Sequence, residues 1–198
     1  MLVLVAGCGT ADNPYSKFKD PPLVQASLHT VTLASDTQAV VREIIDSGYA
    51  ALVLPPNYQQ ADVVEGSLWG VPEQVAAKAA HFRPAQPGAP GLRLLVLPLA
   101  AKGRAPDPAV DQAFFRNVLG SEVPSWPLSS PPREDVRIQV WTYLVPDILV
   151  ANRRLRENGI PVIFDPVGIT TSYMGDQKTL AIRAPDGTVV QLAQTSAQ

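Results

Sequence analysis

The feature that most constrains this 198-residue chain is that it repeats itself. When Asp36 is laid on Asp147, the segment Ser27 to Asp36 falls on Ile138 to Asp147, and Arg42 meets Arg153, Asp46 meets Glu157, Gly48 meets Gly159 and Pro55 meets Pro166. Each match has a local reason. Asp36 and Asp147 stand where an N-cap carboxylate would accept the free amides of a helix and favour its positive end. Gly48 and Gly159 stand where a residue with positive φ would stop that helix. Between them, Val40, Val41, Ile44 and Ile45 in one copy and Leu149, Val150 and Leu155 in the other make an apolar stripe at helical spacing. The unit reads as strand, helix, strand, twice.

Further strands follow in each copy. In the second, Pro161 to Phe164, Thr179 to Arg183 and Thr188 to Ala193 alternate or run apolar, and Pro185-Asp186-Gly187 predicts a hairpin turn between the last two. In the first, Ala50 to Leu54, Val75 to Phe82 and Leu92 to Leu97 are the expected strands. The expected fold is α+β: two βαβββ modules, residues 23–99 and 136–198, forming curved mixed sheets around a cleft. Residues 100–135, rich in proline, form the connection, with a short helix over Ala109 to Leu119. With 20 prolines, about twice ordinary usage, long irregular stretches are expected elsewhere too.

Charge and cysteine content narrow the function. Sixteen basic against eighteen acidic residues leave a formal charge of −2, so no broad basic field attracts nucleic acid. One cysteine allows no internal disulfide, and with two histidines there is no structural Cys/His zinc cluster. A metal would have to be held by carboxylates or amides. No Gly-x-Ser-x-Gly nucleophile elbow is present.

Residues 1–22 read as a signal-like segment and tether. Val5-Ala6-Gly7-Cys8 resembles the lipobox of bacterial lipoproteins, in which the cysteine is lipidated, although no basic region precedes it and the apolar run is short. That resemblance implies a lipid-anchored protein of the cell envelope with Cys8 as the acylated residue. An apolar tail on a cytoplasmic protein and a strand entering a Gly-rich nucleotide loop are the competing readings.

The paired modules, the phrase Ile182-Arg183-Ala184-Pro185-Asp186-Gly187-Thr188-Val189-Val190-Gln191-Leu192 and the helix end Leu155-Arg156-Glu157-Asn158-Gly159 resemble the vicinal oxygen chelate superfamily. That group includes glyoxalase I, bleomycin-resistance proteins, methylmalonyl-CoA epimerase and the extradiol dioxygenases of the dihydroxybiphenyl type. In its metal-dependent members a His or Gln on a module's first strand and a Glu on its last converge on one divalent ion that acts as a Lewis acid. The resemblance places His29 and Val140 at the first-strand positions, Arg93 or Leu94 and Gln191 at the last. A one-residue shift of register would bring Gln139 in place of Val140. This is one good ligand and an amide, with Arg93 repelling a cation.

The expectation is therefore a metal-free domain, without a cofactor, that binds a small organic ligand in the inter-module cleft. Its pocket candidates are His29, Arg93, Gln139, Trp141, Tyr173 and Gln191. His29 and Gln191 are the weak metal candidates, and the catalytic residues are unknown. Trp141 and Tyr143 also suit the core, while Trp69, Trp126 and Tyr173 fall in expected loops over the cleft. His81 is expected to be an ordinary polar residue, and Asp62, Glu65, Glu73 and Asp165 solvated surface charges. The alternatives are a glyoxalase-like lyase or isomerase using His29 and Gln191, and a structural envelope protein whose pocket is closed by side chains. The modules would pair within one chain to give a monomer, or across a homodimer.

Overall fold

The computed structural model describes Tyr15 and residues 27–34, 37–87, 89–96, 108–122, 127–129, 136–171 and 173–195. The first half runs β1 (Ser27–Ala34), α1 (Thr37–Asp46), β2 (Tyr49–Leu52), α2 (Asn57–Leu68), α3 (Glu73–Ala76), β3 (Ala80–Pro84) and β4 (Gly91–Val96). Helix α4 (Pro108–Phe114) follows, prolonged by a π-helical turn over Phe115–Leu119. The second half runs β5 (Val136–Leu144), α5 (Ile148–Glu157), β6 (Val162–Thr171), β7 (Gly175–Arg183) and β8 (Val189–Thr195).

The repeat is physical. Helices α1 and α5 begin and end at matched positions, and the glycines after them, Gly48 (φ +86°) and Gly159 (φ +73°), take the left-handed conformation that the matching assigned to them. The Asp147 carboxylate accepts hydrogen bonds from the amides of Leu149 and Val150, capping α5. The Asp36 counterpart, Cys8 and Trp126 lie outside the described residues. The Pro185-Asp186-Gly187 turn joins β7 to β8 as expected, with Asp186 accepting from the Thr188 amide.

The eight described strands form one sheet in the order β2-β3-β4-β1-β5-β8-β7-β6. Each half has the same internal order, its first strand parallel to its fourth, and the halves meet where β1 pairs antiparallel with β5. Period-two alternation divides the side chains between two faces. On one face Leu92 and Leu94 pack with Val40 and Ile44 of α1, and Trp141, Tyr143, Leu180 and Ile182 pack with Ile148 and Leu155 of α5. The connection between halves contributes to this core, since Phe114, Phe115, Val118 and Leu119 are buried in it. On the other face Leu95, Val140, Ala181 and Val189 pack with Trp69, Val71 and Ala76, which belong to α2, α3 and the turn between them. Each fully buried side chain of this size is worth about 1.5–3 kcal/mol.

Two expectations need correction. The strand expected over Val75 to Phe82 is instead α3 followed by β3, which starts at Ala80. The residues between β2 and β3, expected to be loop, carry α2. This helix starts behind Pro55-Pro56 and ends at Leu68, and an added Cβ at its Gly66 would lie 3.0 Å from the Cβ of Ala76. A glycine there lets α3 fold close against α2.

Candidate functional site

The sheet pairing defines two equivalent pairs of positions. His29 pairs with Gly91 as Val140 pairs with Val189; two residues along, Val31 pairs with Arg93 as Thr142 pairs with Gln191. Across the seam His29 pairs with Thr142, so the backbone sets His29, Thr142 and Gln191 abreast on three neighbouring strands. Arg93 and Gln191 are therefore the matched last-strand residues of the two halves. Leu94, the other candidate, points to the α1 side.

Both residues face α2. The stripe that this helix buries is Asp62, Glu65, Gly66 and, at its end, Trp69, at i, i+3, i+4 and i+7. Asp62 is 3% and Glu65 0% exposed, so the expectation that they are solvated surface charges is wrong. A guanidinium is buried with both of them. Arg93, 1% exposed on β4, donates from Nη1 to Asp62 Oδ1 at 2.7 Å and from Nη2 to Glu65 Oε2 at 2.6 Å. Three further side chains donate to the same two carboxyl groups. His81 Nε2 donates to Asp62 Oδ2 at 2.7 Å, and Tyr173 Oη and Gln191 Nε2 donate to Glu65 Oε1 at 2.8 and 2.9 Å. Trp69 Nε1 donates to Gln191 Oε1 at 3.1 Å, which fixes the orientation of that amide. The guanidinium carbon also lies 5.0 Å from the centre of the Trp69 ring and 5.8 Å from that of Tyr173, both within cation–π range.

Burial alone would raise the Asp62 carboxyl, but the His81 hydrogen bond and the Arg93 charge outweigh it and hold the group below its ordinary value. Burial disfavours the Arg93 cation, yet the charges of Glu65 and Asp62 and the hydrogen bond to Glu65 act together to hold its pKa above the ordinary value. Burial, reinforced by Glu65, holds the Tyr173 hydroxyl well above its ordinary value, so it remains a donor.

Of the residues singled out in the sequence, Arg93, Tyr173, Gln191 and Trp69 come together here. His81 joins them as a buried partner of Asp62, which is more than the ordinary polar role expected. Trp141 does not: it lies on the opposite face of β5 from Thr142, in the core with Tyr143 and Leu155. Gln139 is half-buried, and Val140 faces α2 as an apolar core residue. Glu73 and Asp165 are exposed, as expected, with Asp165 paired to Arg156. Among the described residues no three His, Cys, Asp or Glu side chains gather in a metal-binding arrangement. None of the described helices is long and apolar enough to cross a membrane.

Sequence reasoning missed Asp62, Glu65 and His81. The signal available was an arginine in the apolar strand Gly91-Leu92-Arg93-Leu94-Leu95-Val96, a charge that a sheet interior admits only with a carboxylate partner.

A concavity lies elsewhere along α2. It is an open cavity of ≈ 590 Å³ between α2 and the β6–β7 hairpin.

The strand order and the pairing of the halves make this an α+β protein whose topology resembles that of the vicinal oxygen chelate superfamily, with an ion cluster between the sheet and α2. Methylmalonyl-CoA epimerase from Mycobacterium tuberculosis is similar in structure over 91% of this chain and 95% of its own, at 15% identity and a TM-score of 0.48. The Mn(II)-bound glyoxalase from Novosphingobium aromaticivorans is similar over 89% of this chain and 40% of its own, at 13% identity and a TM-score of 0.48. A glyoxalase/bleomycin resistance protein/dioxygenase superfamily member from Vibrio splendidus 12B01 covers 86% of this chain and 98% of its own, at 13% identity and a TM-score of 0.38. No family model and no curated protein matches the chain.

Proposed function

We propose that this chain is a metal-free member of the vicinal-oxygen-chelate type that binds a small organic ligand beside the centre of its cleft. The observation that carries the reading is the Arg93 guanidinium held between Asp62 and Glu65. In metal-dependent members, by the resemblance, this region holds a divalent ion. Here its donors are already used: Glu65 accepts three hydrogen bonds, and Gln191 donates its amide N–H to Glu65 and accepts from Trp69 Nε1 at its oxygen. A divalent ion at Gln191 or Glu65 would have to displace those bonds and lie beside a fixed positive charge. The residues present do not fit the ion. Lipid anchoring through Cys8 belongs to the same reading and is supported by the lipobox-like Val5 to Cys8.

One observation favours a second reading, a glyoxalase-like lyase or isomerase. The carboxylate missing from the sequence-level ligand set has a counterpart in Glu65, 2.9 Å from Gln191, and His29 is two strands away in register. Elemental analysis of protein purified without chelator, with methylglyoxal–glutathione turnover, separates the two. The binding reading expects substoichiometric metal and no turnover; one divalent ion per chain with turnover overturns it. Incorporation of labelled palmitate, lost in Cys8→Ser, is the expected outcome for the anchor, and equal labelling of both proteins removes it.

A further inference from the structure

Among the described residues the sheet has β6 at one edge and β2 at the other, and the two edges are built differently. An edge offers its backbone to any strand that approaches, and natural edges carry devices that turn such a strand away. Strand β6 has Asp165, Pro166 and two breaks of register between Val162 and Val167. Strand β2 is short but carries none of these. It pairs with β3 in unbroken register, and from Ser47 to Ala61 the sequence holds no charged residue. Ala50, Ala51 and Leu52 are exposed, and Val53, one residue beyond the strand, is 100% exposed.

Alternation decides which backbone groups this edge presents. The Ala85 amide donates to the Gly48 carbonyl at 2.8 Å, so Gly48, Ala50 and Leu52 turn their main-chain groups toward β3. Ala51 and Val53 turn theirs outward. The start of β2 is already approached by the connection between the halves, since Ser129 N donates to Ser47 Oγ at 2.9 Å. An incoming strand therefore meets residues 51–53.

The side chains there fit a second copy of themselves. In an antiparallel pairing turned about Leu52, Ala51 of each chain stands opposite Val53 of the other, and each such pair exchanges its N–H and C=O bonds. The bulky exposed valine meets the small alanine on the α1 side, where Phe82, the β3 partner of Ala51, packs. Leu52 meets Leu52 on the α2 side, where His81, its β3 partner, bonds Asp62. No charge is trapped between the copies.

We infer that the β2 edge is a homodimer interface, at which two copies of this chain pair antiparallel through residues 51–53 and join their sheets into one. The pairing is independent of what the cleft binds.

Sedimentation equilibrium of the full chain tests it. Wild type is expected to reach twice the mass of one chain. Val53→Lys, at a fully exposed position, is expected to weaken association roughly tenfold or more by setting a charge in the pairing. Ala51→Pro removes an N–H that β3 does not use and is expected to have the same effect, with a retained thermal transition showing that the variant is folded. Ile163→Lys, at an exposed position on β6, is expected to change nothing. Opposed residues of a non-hydrogen-bonded pair have Cα atoms about 4.5 Å apart, within disulfide reach. In a Cys8→Ser background, Leu52→Cys is accordingly expected to form an intermolecular disulfide that Ile163→Cys does not. A monomeric wild type overturns the inference, and so does a dimer that survives both Val53→Lys and Ala51→Pro. Failure of Leu52→Cys to cross-link in a dimer that both variants disrupt overturns the register about Leu52.

Discussion

The two halves of the molecule differ chiefly in one connection. In the second half β6 passes to β7 through residues 172–174; in the first, residues 53–79 lie between β2 and β3 and build α2 and α3. The insertion does not stay with the half that encodes it. Helix α2 lies along β6, and its Glu65 takes hydrogen bonds from Gln191 and Tyr173 of the second half while its Asp62 and Glu65 hold Arg93 of the first. The matched last-strand positions, an arginine in one half and a glutamine in the other, are thereby tied to a single carboxylate. A repeated scaffold fixes where side chains converge, and an unrepeated insertion decides what they meet there.

The most severe way to break this comparison is to make the halves alike. Replacing residues 55–78 with a short turn would leave Arg93 without either carboxylate and expose Leu95, Val140, Ala181 and Val189. The expected result is loss of the cooperative thermal transition in calorimetry. Next comes the matched pair. Arg93→Ala strands two buried carboxylates and is expected to cost about 3–5 kcal/mol in urea unfolding. Gln191→Ala removes one of several donors to Glu65 and is expected to cost about 1–3 kcal/mol. Equal costs would contradict the asymmetry between the halves.

Acid sharpens the same point. The folded Asp62 carboxyl titrates below its ordinary value of 3.8, so its contribution is fully present above that value and is lost as pH falls through the lower folded value. Wild-type stability is expected to show an acid component in this window that Asp62→Asn lacks, measured by urea unfolding at stepped pH. A smaller effect is expected from Asp147→Ala, which removes the cap of α5 at a cost of about 1 kcal/mol. Smallest, and opposite in sign, is Gln177→Leu. Removing this buried amide, which has no hydrogen-bond partner among the described residues, is expected to raise stability by up to about 1 kcal/mol, read as an increased urea midpoint.

Much of the fold was legible because it is written in local rules. The capping aspartate, the glycines with positive φ and the apolar helical stripes located α1 and α5, and the Asp-Gly turn located β7 and β8. Helix α2 was not legible for a physical reason. Its buried stripe has correct helical spacing, but the stripe is Asp62, Glu65, Gly66 and Trp69, so hydrophobic periodicity carries almost no trace of it. Those carboxylates become buried residues only once Arg93, far away in sequence, is folded beneath them. For the site, Arg93 and Gln191 were found through the repeat and the resemblance, and Tyr173 as an aromatic residue in an expected loop over the cleft. Trp141 was misplaced as a pocket candidate because alternation along β5 shows two faces without saying which one α5 covers.

The junction of β1 with β5 has one more consequence. It closes each half's first strand with the other's, so a half prepared alone would carry a bare row of amide and carbonyl groups along that strand. The antiparallel pairing is that of a two-fold axis, so a second copy of the same half could satisfy those groups in the same manner. A fragment of residues 136–198, which also lacks the cover of α2, should accordingly need the separate first half, paired through β1, to reach its ordered form.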